Sequence, residues 1–502
     1  MRALRPQRFL WVLLFAALFP LALYSLLGTA LQDTKYSYFY RRNITALQRA
    51  EVLREQQADA YLSALKYVRT THNETAKVLN APHHHHPDPP DLCFVVLSGV
   101  ARPQRYVVQT VAFLLARVMG DVMPEMDREV REKMGGAAAV STSLKSAKPP
   151  LVAMGTTPPR LPRVRTWIHN SVGTNDHLGI IPSLVDIYAA TPRISLEADS
   201  SRGWYEKAIW DYAEALDVAM TEKCGLTVLL EDDGIVASGV VRHVFEGMRP
   251  LMSTDADKKD ECGWVFVKLF YTEFWTGWQS SVADIATLAI CGVAAGLGVV
   301  KIANRCYART ITTPRRKSSL FAPHRDDSPY LPAPTTSTTP PRRRRPPSLP
   351  LTPPTLLSLL LFAYTTALVI LTLHAIGRQN VTALWNRRPG LTRTTALAST
   401  VAHVYPTNPT TTSCAARNTR DLIIYLNQKA TYFADHGAEE TPVVPVDILV
   451  DTYVSDNRKT KWELRPHLVQ HVGVHSSTRH KNQGNFDIVK ISSTYADGTT
   501  FI

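Results

Sequence analysis

The sequence predicts an α/β domain carried on membrane-spanning helices, and three observations predict it. Three long apolar blocks, Phe9 to Leu31, Ile285 to Val300 and Thr355 to Gly377, interrupt a chain whose overall hydrophobic content is an ordinary 45%. An apolar run of strand length, Leu92 to Ser98, turns at Gly99 to Pro103 into an amphipathic helix over Arg105 to Met119. A second apolar run, Leu226 to Leu230, passes directly into Glu231-Asp232-Asp233-Gly234.

The 502 residues suffice for two or three average domains or one large one with additions. The net charge of +13 raises the question of a nucleic-acid partner, and its distribution answers it. Arg2, Arg5 and Arg8 supply +3 ahead of the first apolar block, and the stretch from Lys301 to Pro354 supplies +9. The rest is close to neutral, so no nucleic-acid groove is expected.

In chain order, residues 1–8 form a basic tail and 9–31 the first span. The latter is uncharged, and at ~1.5 Å per residue it reaches about 34 Å, enough for a hydrocarbon core of ~30 Å. A cleaved signal peptide is the competing reading, since Gly28 and Ala30 suit cleavage, but such apolar regions usually run only ~7–15 residues. Residues 32–90 read as a stem with helical character from Thr45 to Tyr67, where Leu47, Leu53, Tyr61 and Leu65 stand among charges. His83 to His86 lie among prolines, as in a disordered linker, with a metal site as the competing reading. Residues 91–282 open the α/β domain, with a second helix over Arg202 to Cys224 and a Gly-, Ala-, Ser- and Pro-rich insertion from Met134 to Arg163.

Residues 283–302 form a second span, in which Gly292, Gly296 and Gly298 would let another helix approach closely. A basic loop at 303–354, rich in Pro, Ser and Thr, reads as disordered. Residues 355–377 form a third span, and 378–502 complete the α/β domain. The positive-inside rule places the tail and the loop in the cytosol and the α/β residues on the other side. The sequons at Asn43, Asn73 and Asn380 all fall on that second side. So do Cys93, Cys224, Cys262 and Cys414, whose pairing the sequence leaves open. Cys291 and Cys306 lie in or beside the second span and are expected to be free.

Three stretches carry chemistry. The carboxylates of Glu231, Asp232 and Asp233 stand at the end of a buried strand. They are hard oxygen ligands suited to Mn²⁺ or Mg²⁺, although Asp-Gly is also common in solvated turns. Leu468 to Ser477 holds His471 and His475, either ordinary histidines or imidazoles that complete a metal shell. Lys268 to Trp278 surrounds Glu273 with aromatic residues. Such surroundings raise a carboxyl pKa towards general-base work, and the same aromatics would suit a membrane-interface belt.

Taken together, these stretches resemble the GT-A fold glycosyltransferases. The likeness is greatest to the Golgi post-GPI-attachment N-acetylgalactosamine (GalNAc) transferase family and more distant to N-acetylglucosaminyltransferase IV. It rests on four segments: the opening strand and turn through Arg102, the helix from Lys207 to Tyr212 leading to Leu-Leu-Glu-Asp-Asp, the Lys268-to-Trp278 segment, and Gln-His-Val-Gly-Val-His-Ser-Ser. It also rests on the order of one N-terminal anchor and a two-span hairpin inserted in the catalytic domain.

The resemblance implies a GT-A-like domain split by that hairpin, in a multi-pass Golgi membrane protein with a cytosolic N-terminus and a lumenal catalytic domain. It implies transfer, with inversion, of an N-acetylhexosamine from a UDP-sugar to the mannose core of a GPI-anchored glycoprotein, with Mn²⁺ or Mg²⁺ as cofactor. Asp232, Asp233, His471 and His475 would bind metal. Arg102, Lys207, Glu231 and Asp232 would bind the nucleotide and its diphosphate. Glu273 would be the base, with Asp233 also catalytic. The acidic triplet departs from a strict Asp-x-Asp pattern, and the 134–163 insertion and the cytosolic loop have no place in the family. An N-glycan GlcNAc transferase and a non-catalytic membrane adaptor stand as alternatives.

Overall fold

The computed structural model describes residues 6–31, 44–71, 89–99, 105–135, 162–172, 174–191, 201–252, 263–270, 282–312, 355–377, 381, 390–394, 400–408, 413–436, 444–465 and 467–471. Helices α1 (Pro6–Ala30) and α2 (Ile44–Thr71) come first. Strand β1 (Leu92–Ser98) is followed by α3 (Tyr106–Val122), α4 (Pro124–Gly135) and β2 (Val164–Asn170). Two 3-10 turns, Asp176–Leu178 and Ile181–Ser183, precede β3 (Asp186–Ala189). Next come α5 (Ser201–Thr221), β4 (Leu226–Glu231), β5 (Gly234–Val236), α6 (Val240–Met252) and β6 (Trp264–Lys268). Two long apolar helices follow, α7 (Val282–Thr312) and α8 (Thr355–Ile376). Then come β7 (Gly390–Arg393), β8 (Ala402–Pro406), α9 (Ser413–Asp435), α10 (Val446–Asp456), β9 (Thr460–Arg465) and β10 (Val469–His471).

The chain divides into two units, Tyr40–Phe274 with Thr382–Ile502, and Met1–Phe39 with Trp275–Val381. The first is the expected α/β domain. Its eight-stranded sheet has the order β3-β2-β1-β4-β8-β6-β9-β7, with β8 and β7 running against the other six. Side chains alternate across such a sheet, and both faces are covered. Phe94 and Val96 of β1 join Val108, Val111 and Leu114 of α3 and Val244 and Met248 of α6 in one core. Cys93 and Val95 point the other way, into a core with Tyr212 and Leu216 of α5, Leu422 and Leu426 of α9, and Leu449 of α10. Strands covered on both faces read as continuous apolar runs, which is why β1 and β4 stand out in the sequence.

Residues 44–71, expected within the stem, form a helix packed on the α/β domain. Ala58, Tyr61, Leu62, Leu65 and Val68 of α2 are buried in the core shared with α3, while Leu53 is exposed. Arg105 holds both carboxylate oxygens of Asp59, at 2.9 and 3.1 Å. Arg54 Nε donates to Gln109 Oε1 at 3.3 Å. The His83–His86 run lies outside the described residues.

Cys93 is bonded to Cys224, so the start of β1 is fastened to the residue two before β4. Cys414 is also disulfide-bonded. Cys291 and Cys306 are not disulfide-bonded, as expected.

In the other unit, α7 and α8 pack antiparallel. A Cβ on Gly292 would lie 2.8 Å from Ile370 Cγ1, and one on Gly296 would lie 2.5 Å from Thr366 Oγ1 and 2.9 Å from Phe362 Cδ2. The two glycines therefore admit the second helix, as the sequence suggested. Gly298 does not, for a Cβ there would meet nothing within 4 Å. Ile285–Cys306 and Ser358–Ile376 are long and apolar enough to cross a membrane. Helix α7 continues to Thr312, past the expected end of the span at 302, while α8 matches its expected range closely. Helix α1 carries a shorter apolar stretch among its described residues, Leu18–Ala30.

Candidate functional site

The strand order locates a ligand edge before any side chain is considered. The chain runs from β1 outwards through β2 to β3, then returns to place β4 on the other side of β1. Ligands of open, mostly parallel sheets bind outside the carboxyl ends of the strands where the order reverses in this way. The pairing aligns Leu97 with Glu231 of β4 and with His169 of β2. The acidic triplet therefore stands at the reversal.

After Glu231 the chain turns through Asp232 and Asp233 into β5. Asp232 is 5% exposed and Asp233 is 2% exposed, so the triplet is no solvated surface turn. Glu231 accepts a hydrogen bond from the Thr400 hydroxyl, and its backbone N–H donates to Val401 O at 3.0 Å. Thr110 Oγ1 on α3 donates to Asp232 O at 2.7 Å. Gly234 sits in a close approach, for a Cβ there would lie 3.3 Å from Glu231 O and 3.4 Å from Val469 Cγ1.

Strand β10 closes the site from the far end of the chain. It pairs antiparallel with β5, with Val469 opposite Val236, Gln470 opposite Ile235 and His471 opposite Gly234. The backbone of His471 thus stands across from the residue that follows Asp233. Among the described residues, no three His, Cys, Asp or Glu side chains form a group able to hold a metal. Two adjacent carboxylates and the register of His471 are what the described chain contributes.

Lys207 is held at the end of β1, the neighbour of β4. Its Nζ contacts Asp211 Oδ2 at 2.6 Å, Ser171 Oγ at 2.5 Å and Gly99 O at 3.2 Å. Beside it, Ser98 Oγ and His177 Nε2 are 3.0 Å apart. Burial lowers the pKa of His177 and of His169, which favours neutral imidazoles at this edge. Arg102, Glu273 and His475 lie outside the described residues, as does the side chain of His471.

A second polar group, which sequence reasoning missed, lies on the α5 face of the sheet. Tyr212 OH is 3.0 Å from His403 Nδ1 and 2.8 Å from Tyr405 OH. Burial raises both phenols well above their usual range. Lys268, at the end of β6, is pushed down to about 8 by burial, against the pull of Glu463. Tyr212 lies on a helix and His403, Tyr405 and Lys268 on two separate short strands, so no shared local motif signals them in the sequence.

No model of a known protein family matches the chain, and no curated protein matches it. The structure is a mixed α/β domain with an acidic turn at the reversal of its strand order, in a chain that also carries two helices long and apolar enough to cross a membrane.

Proposed function

We propose that the chain is a membrane-anchored, metal-dependent glycosyltransferase with a GT-A-like domain, acting on a UDP-sugar. One observation carries the reading: β10 pairs with β5 so that His471 comes level with Gly234, beside the acidic turn. The two motifs of the resemblance thereby meet at the edge where an α/β sheet binds ligands. The donor set fits a hard divalent cation, because Asp232 and Asp233 present carboxylate oxygens from a tight, almost solvent-free turn. When bound, Mn²⁺ or Mg²⁺ supplies neutralisation of the charge that builds on the leaving nucleoside diphosphate.

The protein's own groups divide the remaining work. Asp232 and Asp233 would hold the cation, and by the resemblance His471 and His475 would be its further ligands. Lys207 and Arg102 attract the diphosphate, with Glu231 beside them. Glu273 takes the proton of the acceptor hydroxyl, which attacks the anomeric carbon from the face opposite the nucleotide. Configuration is inverted. The acceptor is the mannose core of a protein-attached GPI anchor, and the donor sugar is an N-acetylhexosamine, GalNAc by resemblance. Helices α7 and α8 form a hairpin inserted between β6 and β7, which tethers the catalytic unit to the Golgi bilayer where such acceptors are confined. That confinement raises their effective concentration. The Cys93–Cys224 bond supports a lumenal location, since disulfides persist in oxidising compartments.

The test is a panel of UDP-sugars assayed with purified full-length protein and Mn²⁺, against GPI-linked and N-glycan acceptors. Transfer to the GPI glycan is expected. Transfer to N-glycans alone would shift the reading to a GlcNAc transferase, and no transfer or UDP binding at all would reduce the domain to an adaptor.

A further inference from the structure

The segment from Asp232 to Val241 is gripped twice by one helix. Thr110 of α3 is fully buried, and its hydroxyl donates to the backbone carbonyl of Asp232 at 2.7 Å. Further along the same helix, Asp121 Oδ2 accepts the backbone N–H of Val241 at 3.0 Å and so caps the start of α6. Thr110 and Asp121 are about three helical turns apart, which puts them on one face of α3. Between the two grips lie the acidic turn, β5 and Gly239. Gly239 has φ +74°, a conformation that glycine adopts readily.

On its other side β5 is paired with β10, and Ala237 N donates to Leu468 O at 2.7 Å. The carboxylates thus stand on a short loop fastened by a helix and by a strand. A carbonyl fixed in this way fixes the peptide planes from which the Asp232 and Asp233 side chains project.

We infer that Thr110 is a positioning residue for the acidic turn: its hydroxyl sets the orientation in which Asp232 and Asp233 meet a divalent cation. The inference rests on the metal-binding reading of that turn. Side chains that hydrogen-bond a metal ligand typically change metal affinity about 10- to 100-fold when removed, and Thr110 bonds the backbone carbonyl of one. Thr110→Val removes the hydroxyl while keeping the branched shape, and Thr110→Ser keeps the hydroxyl. Thr110→Ala is a second variant that cannot overpack the core. Val118→Ala creates a cavity in the same helix, eight residues beyond Thr110, because Val118 is a buried residue of the α3 core.

The experiment is calorimetric titration of Mn²⁺ into full-length, detergent-solubilised protein in the presence of UDP, alongside thermal melting. The expected result is a 10- to 100-fold weaker Mn²⁺ affinity for Thr110→Val and Thr110→Ala, with Thr110→Ser within about threefold of the unsubstituted protein. Val118→Ala should melt earlier and bind Mn²⁺ normally. The inference is overturned if Thr110→Val and Thr110→Ala bind Mn²⁺ as the unsubstituted protein does, or if Val118→Ala weakens binding equally. If the unsubstituted protein itself binds no Mn²⁺, it is the metal reading that fails, which is a separate and distinguishable result.

Discussion

His471 lies opposite Gly234 in the antiparallel β5–β10 pair, next to Asp233, although two long apolar helices and four strands of the large sheet intervene in the chain. Each strand of the pair is three residues long, too short to stand alone. It is held by what surrounds it: α3 behind the acidic turn, and Leu468 and Val469, which both donate to Leu269 O after β6.

Gly234 is the position at which this closure is most easily broken. A side chain there would press on Glu231 O and on Val469. Gly234→Val is therefore expected to lower stability by about 1–3 kcal/mol through overpacking and to cost more activity than stability. Thermal melting and transfer assays on the same preparation test this. Full activity in a stably folded Gly234→Val protein would show that the closure does not matter for function.

Helix α2 is part of the folded domain. Leu62 is fully buried against it, so Leu62→Ala should cost about 2–5 kcal/mol. A truncated protein beginning after Thr71 should fail to fold, whereas one beginning just before Ile44 should fold. Limited proteolysis of the two secreted fragments distinguishes them. Equal resistance would mean that α2 is dispensable.

The Cys93–Cys224 bond closes a loop of 131 residues. In the chain-entropy description such a cross-link is worth on the order of 5 kcal/mol, and measured values for native bonds are often lower. Replacing both cysteines by serine should lower the melting temperature markedly and make the protein insensitive to mild reductant at this bond. An unchanged melting temperature would contradict the pairing.

Glu463 carries a predicted acid dependence. Burial alone would raise its carboxyl, but the His467 hydrogen bond at 2.8 Å and the nearby Arg465 outweigh burial and hold it at about 2. The unfolded group titrates near ~4.3. A depressed folded pKa stabilises above the unfolded value, and the contribution is lost as pH falls from ~4 towards 2. The shift corresponds to about 3 kcal/mol. Melting temperatures across pH 7 to 3 should therefore fall less steeply for Glu463→Gln than for the unsubstituted protein, from a lower starting point. Parallel curves would remove Glu463 as the titrating group.

The parts of this fold legible in the sequence are those whose burial is purely apolar. Leu92–Ser98 and Leu226–Leu230 announce β1 and β4 because both faces are covered, and α8 announces itself by composition. Strand β2 does not, because its buried residues include Arg165 and His169, with Arg165 satisfied by Glu222 and Asp186 from other parts of the chain. Strand β9 alternates charged and apolar residues and buries Glu463. The docking of α2 was hidden in the same way, since its buried face includes Glu51 and Arg54. At the site, the acidic triplet and the histidine segment could each be read locally. Their pairing through β5 and β10 could not, for three-residue strands have no periodicity to read. Thr110 and Thr400 could not be read either, because a buried threonine looks like any other until its partner is known.

The proposed activity requires that the loop between β4 and β5 bind a divalent cation together with a nucleoside diphosphate. The most direct measurement is calorimetry of UDP binding to the full-length protein with and without Mn²⁺, repeated on Asp233→Asn. The prediction is UDP binding that requires Mn²⁺ and is lost, or weakened at least ~10-fold, in Asp233→Asn while the fold is retained. UDP binding indifferent to both Mn²⁺ and Asp233, or no binding to any folded preparation, would contradict it.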